Sequence, residues 1–393
     1  MTNKEIFLEH LAPTSHQPVL IEVESAMGTI LKDVDGKQYY DLIAGVGVVS
    51  VGHNNSAIKE AVQKQMDKHS HVMVYGEYIQ SSVIALAKNL SDLLPKKLGT
   101  SYLVNSGTEA NEGAIKLAKR ITGRHKIIAF ERGYHGNTQG SMSISGNEAK
   151  KRGFRPLLPG ITFLRFNNIE DLEQITNDIA GVILEPIQGD AGVIIPSGEF
   201  MKLLREKCST TGAQLIFDEV QTGVGRTGKM FAFEHFDVIP DILTLAKGLG
   251  GGLPIGAFIS SHKNMQLLAE NPMLGHITTF GGNPVSCSAA NAVLNIVKEK
   301  GFMNIVNEKG ALFEHLLQHK EIKSIRRQGL MIAVELKNED KVNKAIELAL
   351  EQSVIIYWFL STRNSFRISP PLTITMDEIT TSCERLLKVL DNL

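Results

Sequence analysis

Between about residues 100 and 260, short apolar runs alternate with longer stretches of helical spacing. The runs are SYLVN at 101–105, KIIAF at 126–130, GVILE at 181–185, QLIFDEVQ at 214–221, ILTLA at 242–246 and PIGAFIS at 254–260. Each is short and rich in apolar side chains, as strands buried on both faces are. The stretch 109–121 between the first two reads as a helix. Such alternation predicts an α/β domain built on a mostly parallel, doubly covered sheet.

After residue 280 the pattern changes. Two helices are predicted over 283–298 and 303–318, separated by Gly301, then a strand over 331–336 and a helix over 341–351. A strand at 354–358 and the run FRIS at 366–369 precede the break at Pro370-Pro371, and a closing helix covers 376–393. This is an α+β unit. Residues 1–50 and 291–393 are assigned to a smaller domain, and 51–290 to a larger one.

Composition narrows the function. The chain has 393 residues, 43% of them hydrophobic, enough for a sizeable core. Its 41 basic and 42 acidic side chains leave a formal charge of −1, so nucleic acid is not an expected partner. Three scattered cysteines, Cys208, Cys287 and Cys383, fit reduced thiols better than a disulfide framework. The amino terminus lacks an apolar signal core, and no apolar run is long enough to span a bilayer. The expectation is a cytoplasmic protein without a membrane partner.

The chemistry gathers at two strand ends. QLIFD delivers Asp218, and ILTLA delivers Lys247 into the glycine-rich GLGGG. Open α/β sheets bind ligands at the carboxyl ends of their strands. A lysine able to form a Schiff base, with an acid to keep a pyridinium nitrogen protonated, is what pyridoxal phosphate requires. Singly, such a Lys is a surface residue and such an Asp a cap. Donors for the phosphate stand at Ser106-Gly107-Thr108, which follow a strand and open a helix. The plainer reading there is a capping box between Ser106 and Glu109. Tyr134 is placed to stack on a flat ring, and Gln221 to bond a ring hydroxyl. Thr278 and Thr279 bring adjacent hydroxyls before a glycine turn. Arg367 lies between apolar neighbours, where it requires an anion, either a protein carboxylate or that of a substrate.

One motif misleads. GVGRTG at 223–228 fits the dinucleotide pattern GxGxxG, but the following KMFAFEHF makes a poor helix for a pyrophosphate. Read as a phosphate loop instead, it puts Met230 where a magnesium-binding Ser or Thr belongs. No spacing indicates a metal site.

With SGTEAN at 106–111, YHGNT at 134–138, EPIQGD at 185–190, DEVQTGVGRTG at 218–228, LAKGLGGGLPIGA at 245–257 and TTFGGNP at 278–284, the chain resembles the class III pyridoxal-phosphate aminotransferases, nearest the acetylornithine and ornithine branch. The resemblance runs from about Gly36 to the FRISPPL segment. It implies the fold type I architecture: a large seven-stranded sheet domain, a small domain from both termini, and a homodimer sharing its active site. It also implies roles. Lys247 would carry the cofactor and move the proton at the reacting carbon, and Asp218 would pair with the pyridine nitrogen. Tyr134 and Val220 would cover the two faces of the ring, and Gln221 would meet its hydroxyl. Gly107 and Thr108 would hold the phosphate, with Thr279 reaching it from the neighbouring subunit and Thr278 close to substrate. Arg367 would bind the α-carboxylate of glutamate and 2-oxoglutarate.

Two positions depart from the family. The motif at 134–138 usually carries an arginine for the carboxylate far from the reacting amine, and here it carries Asn137. The acid that neutralises Arg367 is usually Glu, and here it is Asp190. The leading expectation is transfer of an amino group from an ω-amine or diamino acid to 2-oxoglutarate by a ping-pong cycle. The alternatives are an aminomutase or racemase of the glutamate-semialdehyde type, and a nucleotide-binding non-enzyme built on GVGRTG.

Overall fold

A computed structural model describes residues 1–16 and 18–393 of the chain. Seven strands form the central sheet: β1 (Thr100–Val104), β2 (Lys126–Phe130), β3 (Ile161–Leu164), β4 (Ile179–Leu184), β5 (Gln214–Asp218), β6 (Ile242–Leu245) and β7 (Gly256–Ser260). Their order is β1-β7-β6-β5-β4-β2-β3, and β7 alone runs against its neighbours. The mostly parallel seven-stranded sheet is therefore as expected. The short edge strand β3 escaped the sequence pattern, since only Leu164 of its four residues is buried and Thr162 is exposed.

Residues in the inner strands divide their side chains between two cores, because successive residues of a strand face opposite sides. Ile127, Ala129, Ile183, Ile216 and Ile242 join one cluster with Ala110, Ala114, Ile115 and Leu117 of the helix Gly107–Thr122. Ile128, Phe130, Val182, Leu184, Leu215 and Phe217 face the other way, against Phe200 and Leu204 of the helix Gly198–Thr211 and Ala289 and Val293 of the helix Pro284–Val297. Each fully buried Val, Leu, Ile or Phe contributes about 1.5–3 kcal/mol. That is why β4, buried along its whole length, reads as an unbroken apolar run.

The terminal parts interlock. Val23–Met27, Ile30–Asp33 and Gln38–Asp41 form a sheet whose last strand pairs in parallel with Val354–Ile355. A third sheet runs Ser324–Gln328, Met331–Glu335, Ser365–Ile368, Tyr357–Trp358. The single strand expected at 354–358 is thus two short strands in different sheets, with buried Ile356 between them. A third apolar cluster, from Leu42 through Phe313, Val334 and Ile346 to Leu390, lies beneath these sheets. No helix among the described residues is long and apolar enough to cross a membrane.

Gly113 is where the helix Gly107–Thr122 meets β7 most closely. A Cβ there would lie 2.3 Å from the Phe258 ring. Gly113→Ala should therefore lower stability by about 1–3 kcal/mol, despite the ~0.5–1 kcal/mol that alanine adds to a helix. Urea unfolding followed by circular dichroism measures this, and an unchanged midpoint would mean that the ring moves aside freely.

Candidate active site

Asp218 ends β5 because its own side chain takes over from the ladder: Oδ1 accepts from Val220 N at 3.0 Å. Oδ2 accepts from Asn111 Nδ2 and from His135 Nδ1, both at 2.7 Å. Asn111 is fixed in turn, donating to the His135 carbonyl at 2.8 Å and accepting from Thr244 Oγ1 at 2.8 Å. A buried carboxylate needs this many donors to remain charged. Sequence reasoning missed Asn111 and His135 as parts of the site. Both lie inside quoted motifs, but only the fold brings them to Asp218.

Lys247 follows β6 by two residues and has φ +39°. A non-glycine residue there stores on the order of 1 kcal/mol of strain, and such residues cluster at functional sites. Burial lowers the pKa of its ammonium below the ordinary lysine value; Asp218, Glu185 and Asp190 oppose the shift and Arg367 adds to it. The result is an amine more readily neutral, hence nucleophilic and basic, than a surface lysine. Glu185 accepts from Tyr134 N at 3.0 Å and Gly189 N at 2.8 Å, and burial pushes its carboxyl up to about 7.

These groups line a cavity of about 500 Å³. Of the residues expected from sequence, Ser106, Gly107, Thr108, Tyr134, Asn137, Asp190, Asp218, Val220, Gln221 and Lys247 border it. Val48, His135 and Glu185 do so as well. Arg367 sits behind Asp190, paired with it at 3.1 Å. It also donates to the Trp358 carbonyl at 3.1 Å and stacks on Phe359. Thr278 accepts from the cavity-lining Asn105 at 2.9 Å and Thr279 meets Tyr75 at 3.4 Å, but neither threonine borders the cavity itself.

The capping box at 106–109 is only half made. Ser106 Oγ accepts from Glu109 N at 3.3 Å, but Glu109 reaches back to Asn105 N at 2.7 Å. A Cβ on Gly107 would lie 2.7 Å from Val220, so the glycine lets the helix start close against the cavity wall. Thr108 Oγ1 bonds Thr138 at 2.8 Å and Ser141 at 2.5 Å. Tyr134 has its phenol raised by burial, with Asp190 and Asp218 adding to the shift and a hydrogen bond with Asn137 opposing it. GVGRTG is a loop, and only the short 3₁₀ turn Ala232–His235 follows it, so it offers no helix to a pyrophosphate.

This donor set suits a phosphorylated aromatic aldehyde. A helix start with a hydroxyl would meet a phosphate, a fully bonded carboxylate would meet a ring nitrogen, and a lysine whose charged form burial disfavours would meet a carbonyl. Asn111→Ala should cost about 1–3 kcal/mol by removing one of the donors to the buried Asp218. The urea midpoint reads this out, and a wild-type value would show that another group pairs the carboxylate.

Residues 11–390 match the family described as aminotransferase class-III. An acetylornithine aminotransferase from Caldanaerobacter subterraneus subsp. tengcongensis is 39% identical over 377 residues, covering 93% of this chain and 92% of the relative. A [LysW]-aminoadipate semialdehyde/glutamate semialdehyde transaminase from Sulfolobus acidocaldarius is 40% identical over 311 residues, 78% of this chain and 79% of its own. The solved structure of an amine transaminase from an uncultivated Pseudomonas species, in its PLP-bound form, superposes with a TM-score of 0.90 at 26% identity, covering 98% of each chain.

Proposed function

This chain belongs to the class III aminotransferases, and we propose that it moves an amino group from an ω-amine or diamino acid of the acetylornithine/ornithine type to 2-oxoglutarate, in two alternating half-reactions at one site. It is a pyridoxal-phosphate-dependent transaminase. The observation that carries the finer reading is the convergence of Lys247, the triply bonded Asp218 and the Arg367–Asp190 pair on one cavity.

When bound, pyridoxal phosphate supplies an electrophilic carbonyl and an electron-withdrawing ring. Lys247 would hold that carbonyl through Nζ, and would take and return the proton at the substrate carbon as general base and acid. Asp218 would hold a proton at the pyridine nitrogen, with Asn111 and His135 fixing its carboxylate. Tyr134 and Val220 would clamp the ring, Gln221 would bond its hydroxyl, and Ser106, Gly107 and Thr108 would hold the phosphate. Arg367 would grip the α-carboxylate of glutamate and 2-oxoglutarate; with an amine lacking that group, Asp190 would neutralise the arginine instead.

In this reading the protein is a cytoplasmic homodimer. Thr279 lies outside its own chain's cavity; the adjacent Phe280 is 59% exposed, and Ile79, four residues from its partner Tyr75, and Met273, six residues before Thr279, are 90% and 80% exposed. An apolar surface of this kind suits a second copy, to whose cofactor Thr279 would contribute its hydroxyl. Three buried free cysteines fit a reducing compartment.

Lys247→Ala should cut transamination on the order of 10³-fold or more, and abolish the absorbance of the lysine-bound cofactor. Asp218→Asn should retain cofactor yet lose about 3 kcal/mol of transition-state stabilisation, roughly 10²-fold in rate. Full turnover by either variant, followed as glutamate formation from 2-oxoglutarate, would refute that residue's role.

Substrate choice turns on Asn137. A buried arginine there would give a distal carboxylate about 1.5–3 kcal/mol. Arg152 and Arg155, the next arginines along the chain, do not border the cavity, and Arg155 is paired with Glu148 at 2.6 Å. We therefore expect a preference for donors whose far end is neutral or cationic. The kcat/KM values for N-acetylornithine, ornithine, lysine, 4-aminobutyrate and a simple diamine, in wild type and Asn137→Arg, test this. Efficient use of N-acetylornithine by the wild type, with no gain in Asn137→Arg, would point to another cation.

A further inference from the structure

Arg226, the central residue of GVGRTG, has no part in the reaction described above, yet it is the bulkiest of the fully buried side chains, 1% exposed. Its Nη1 donates to the carbonyls of Leu330 at 3.0 Å and Pro370 at 2.6 Å. Its Nε and Nη2, one edge of the guanidinium, have no partner among the described residues. No carboxylate offsets the charge: burial alone pushes the guanidinium down to about 9. A buried cation with two idle donors is expensive, and natural structures rarely leave one so.

That edge faces Gly47. The turn Ala44–Gly47 has four successive positive φ values, 50°, 62°, 62° and 78°, so its backbone is left-handed through the non-glycine residues Ala44 and Val46. Left-handed geometry costs roughly 1–2 kcal/mol for each of those two. A Cβ at Gly47 would lie 3.8 Å from Nε and 3.9 Å from Nη2, and apart from the flanking Val46 and Val48 and the turn's own backbone no other atom of the described residues comes within 4 Å. The missing side chain thus leaves the two donors facing a space of at least methyl size.

We propose that the Nε–Nη2 edge of Arg226 and the bare face of Gly47 form a buried site for a monatomic anion of the halide class. Two parallel N–H groups on one edge of a guanidinium converge on a single acceptor. An anion is favoured over water because it neutralises the charge that burial penalises, and because it needs no acceptors for hydrogens of its own. The ion would tie three segments together. Arg226 already bridges Leu330 and Pro370, and the Gly47 turn leads directly into Val48 on the wall of the cofactor cavity. Gly248, next to Lys247, packs on the same turn through Ser50 and the Gly47 carbonyl.

Crystals of the wild-type holoenzyme soaked in sodium bromide test the site directly. An anomalous bromine peak at about 3.3 Å from both Nε and Nη2 is expected, slightly longer than an N–H···O bond because the ion is larger. Density there without anomalous signal would be water and would overturn the proposal, as would no density. In solution, replacing gluconate by chloride at constant ionic strength should raise the Tm of the holoenzyme by about 1–3 °C. Gly47→Ala puts a methyl group in the ion's place and should abolish that rise. A wild-type Tm indifferent to halide, or a Gly47→Ala protein that responds as fully as wild type, counts against the site. Should the strained position keep Gly47→Ala from folding, the bromide experiment on the wild type decides alone.

Discussion

Keeping the Asp218 carboxylate charged inside the protein is the constraint on which the rest of the site depends. An unpaired carboxylate at that depth would take up a proton or unfold its surroundings. Three donors prevent this, and each comes from a different place: Val220 N from the turn after β5, Asn111 from the helix Gly107–Thr122, and His135 from the loop after β2. Asn111 is also held by Thr244 on β6. The order of the strands, with β6 beside β5, is what lets one asparagine touch both. Because the same helix opens with Ser106, Gly107 and Thr108, the bonds that fix Asp218 also set the distance between the proposed ring-nitrogen and phosphate sites.

The core supplies the energy that holds unfavourable features in place. Lys247 adopts a positive φ, Ala44 and Val46 adopt left-handed geometry nearby, and Glu185 and Glu219 are buried with carboxyls raised to about 7. Glu219 has a structural explanation, since it caps the 3₁₀ turn through Ala232 N and Phe233 N. The strained lysine, which lines the cavity, and the left-handed turn, which leads into Val48 on its wall, have no such local reason. Strain of this kind persists only where the surroundings over-determine it. Here the surroundings are strands β4 to β6, whose apolar residues are almost fully buried.

How much of this the sequence disclosed follows from the kind of signal each part leaves. Inner strands bury both faces and read as apolar runs, so six of the central strands were legible. Edge strand β3 and the half-buried Ser324–Gln328 have no such run and were not seen. The break at Ile356 was invisible because a strand that changes sheets keeps its apolar composition. Asp218 and Lys247 stood out because strands deliver them. Asn111 and His135 did not, since an asparagine inside a helix and a histidine in a loop have plainer explanations until tertiary structure makes them neighbours. Arg367 lay between: its apolar neighbours demanded an anion, but only the fold identifies Asp190 as the partner.

Charge balance bears on what the cavity accepts. Asp190 and Asp218 face it, burial lowers the pKa of the Lys247 ammonium, and Arg367 is already claimed by Asp190. Asp190 is not free to leave easily. It also accepts from Leu360 N at 2.7 Å and Ser361 Oγ at 2.8 Å, bonds that tie it to the loop before Arg367. If Arg367 binds a substrate carboxylate as proposed, that group would have to compete with an acid held by its own neighbours, whereas an amine lacking the carboxylate would find the arginine already neutralised. Asn137, which also borders the cavity, would bias it in the same direction, since its amide presents no charge to a distal carboxylate. In the proposed reading both features would weaken anion binding in the pocket: Asn137 supplies no cation, and Asp190, anchored by Leu360 and Ser361, masks the one at Arg367.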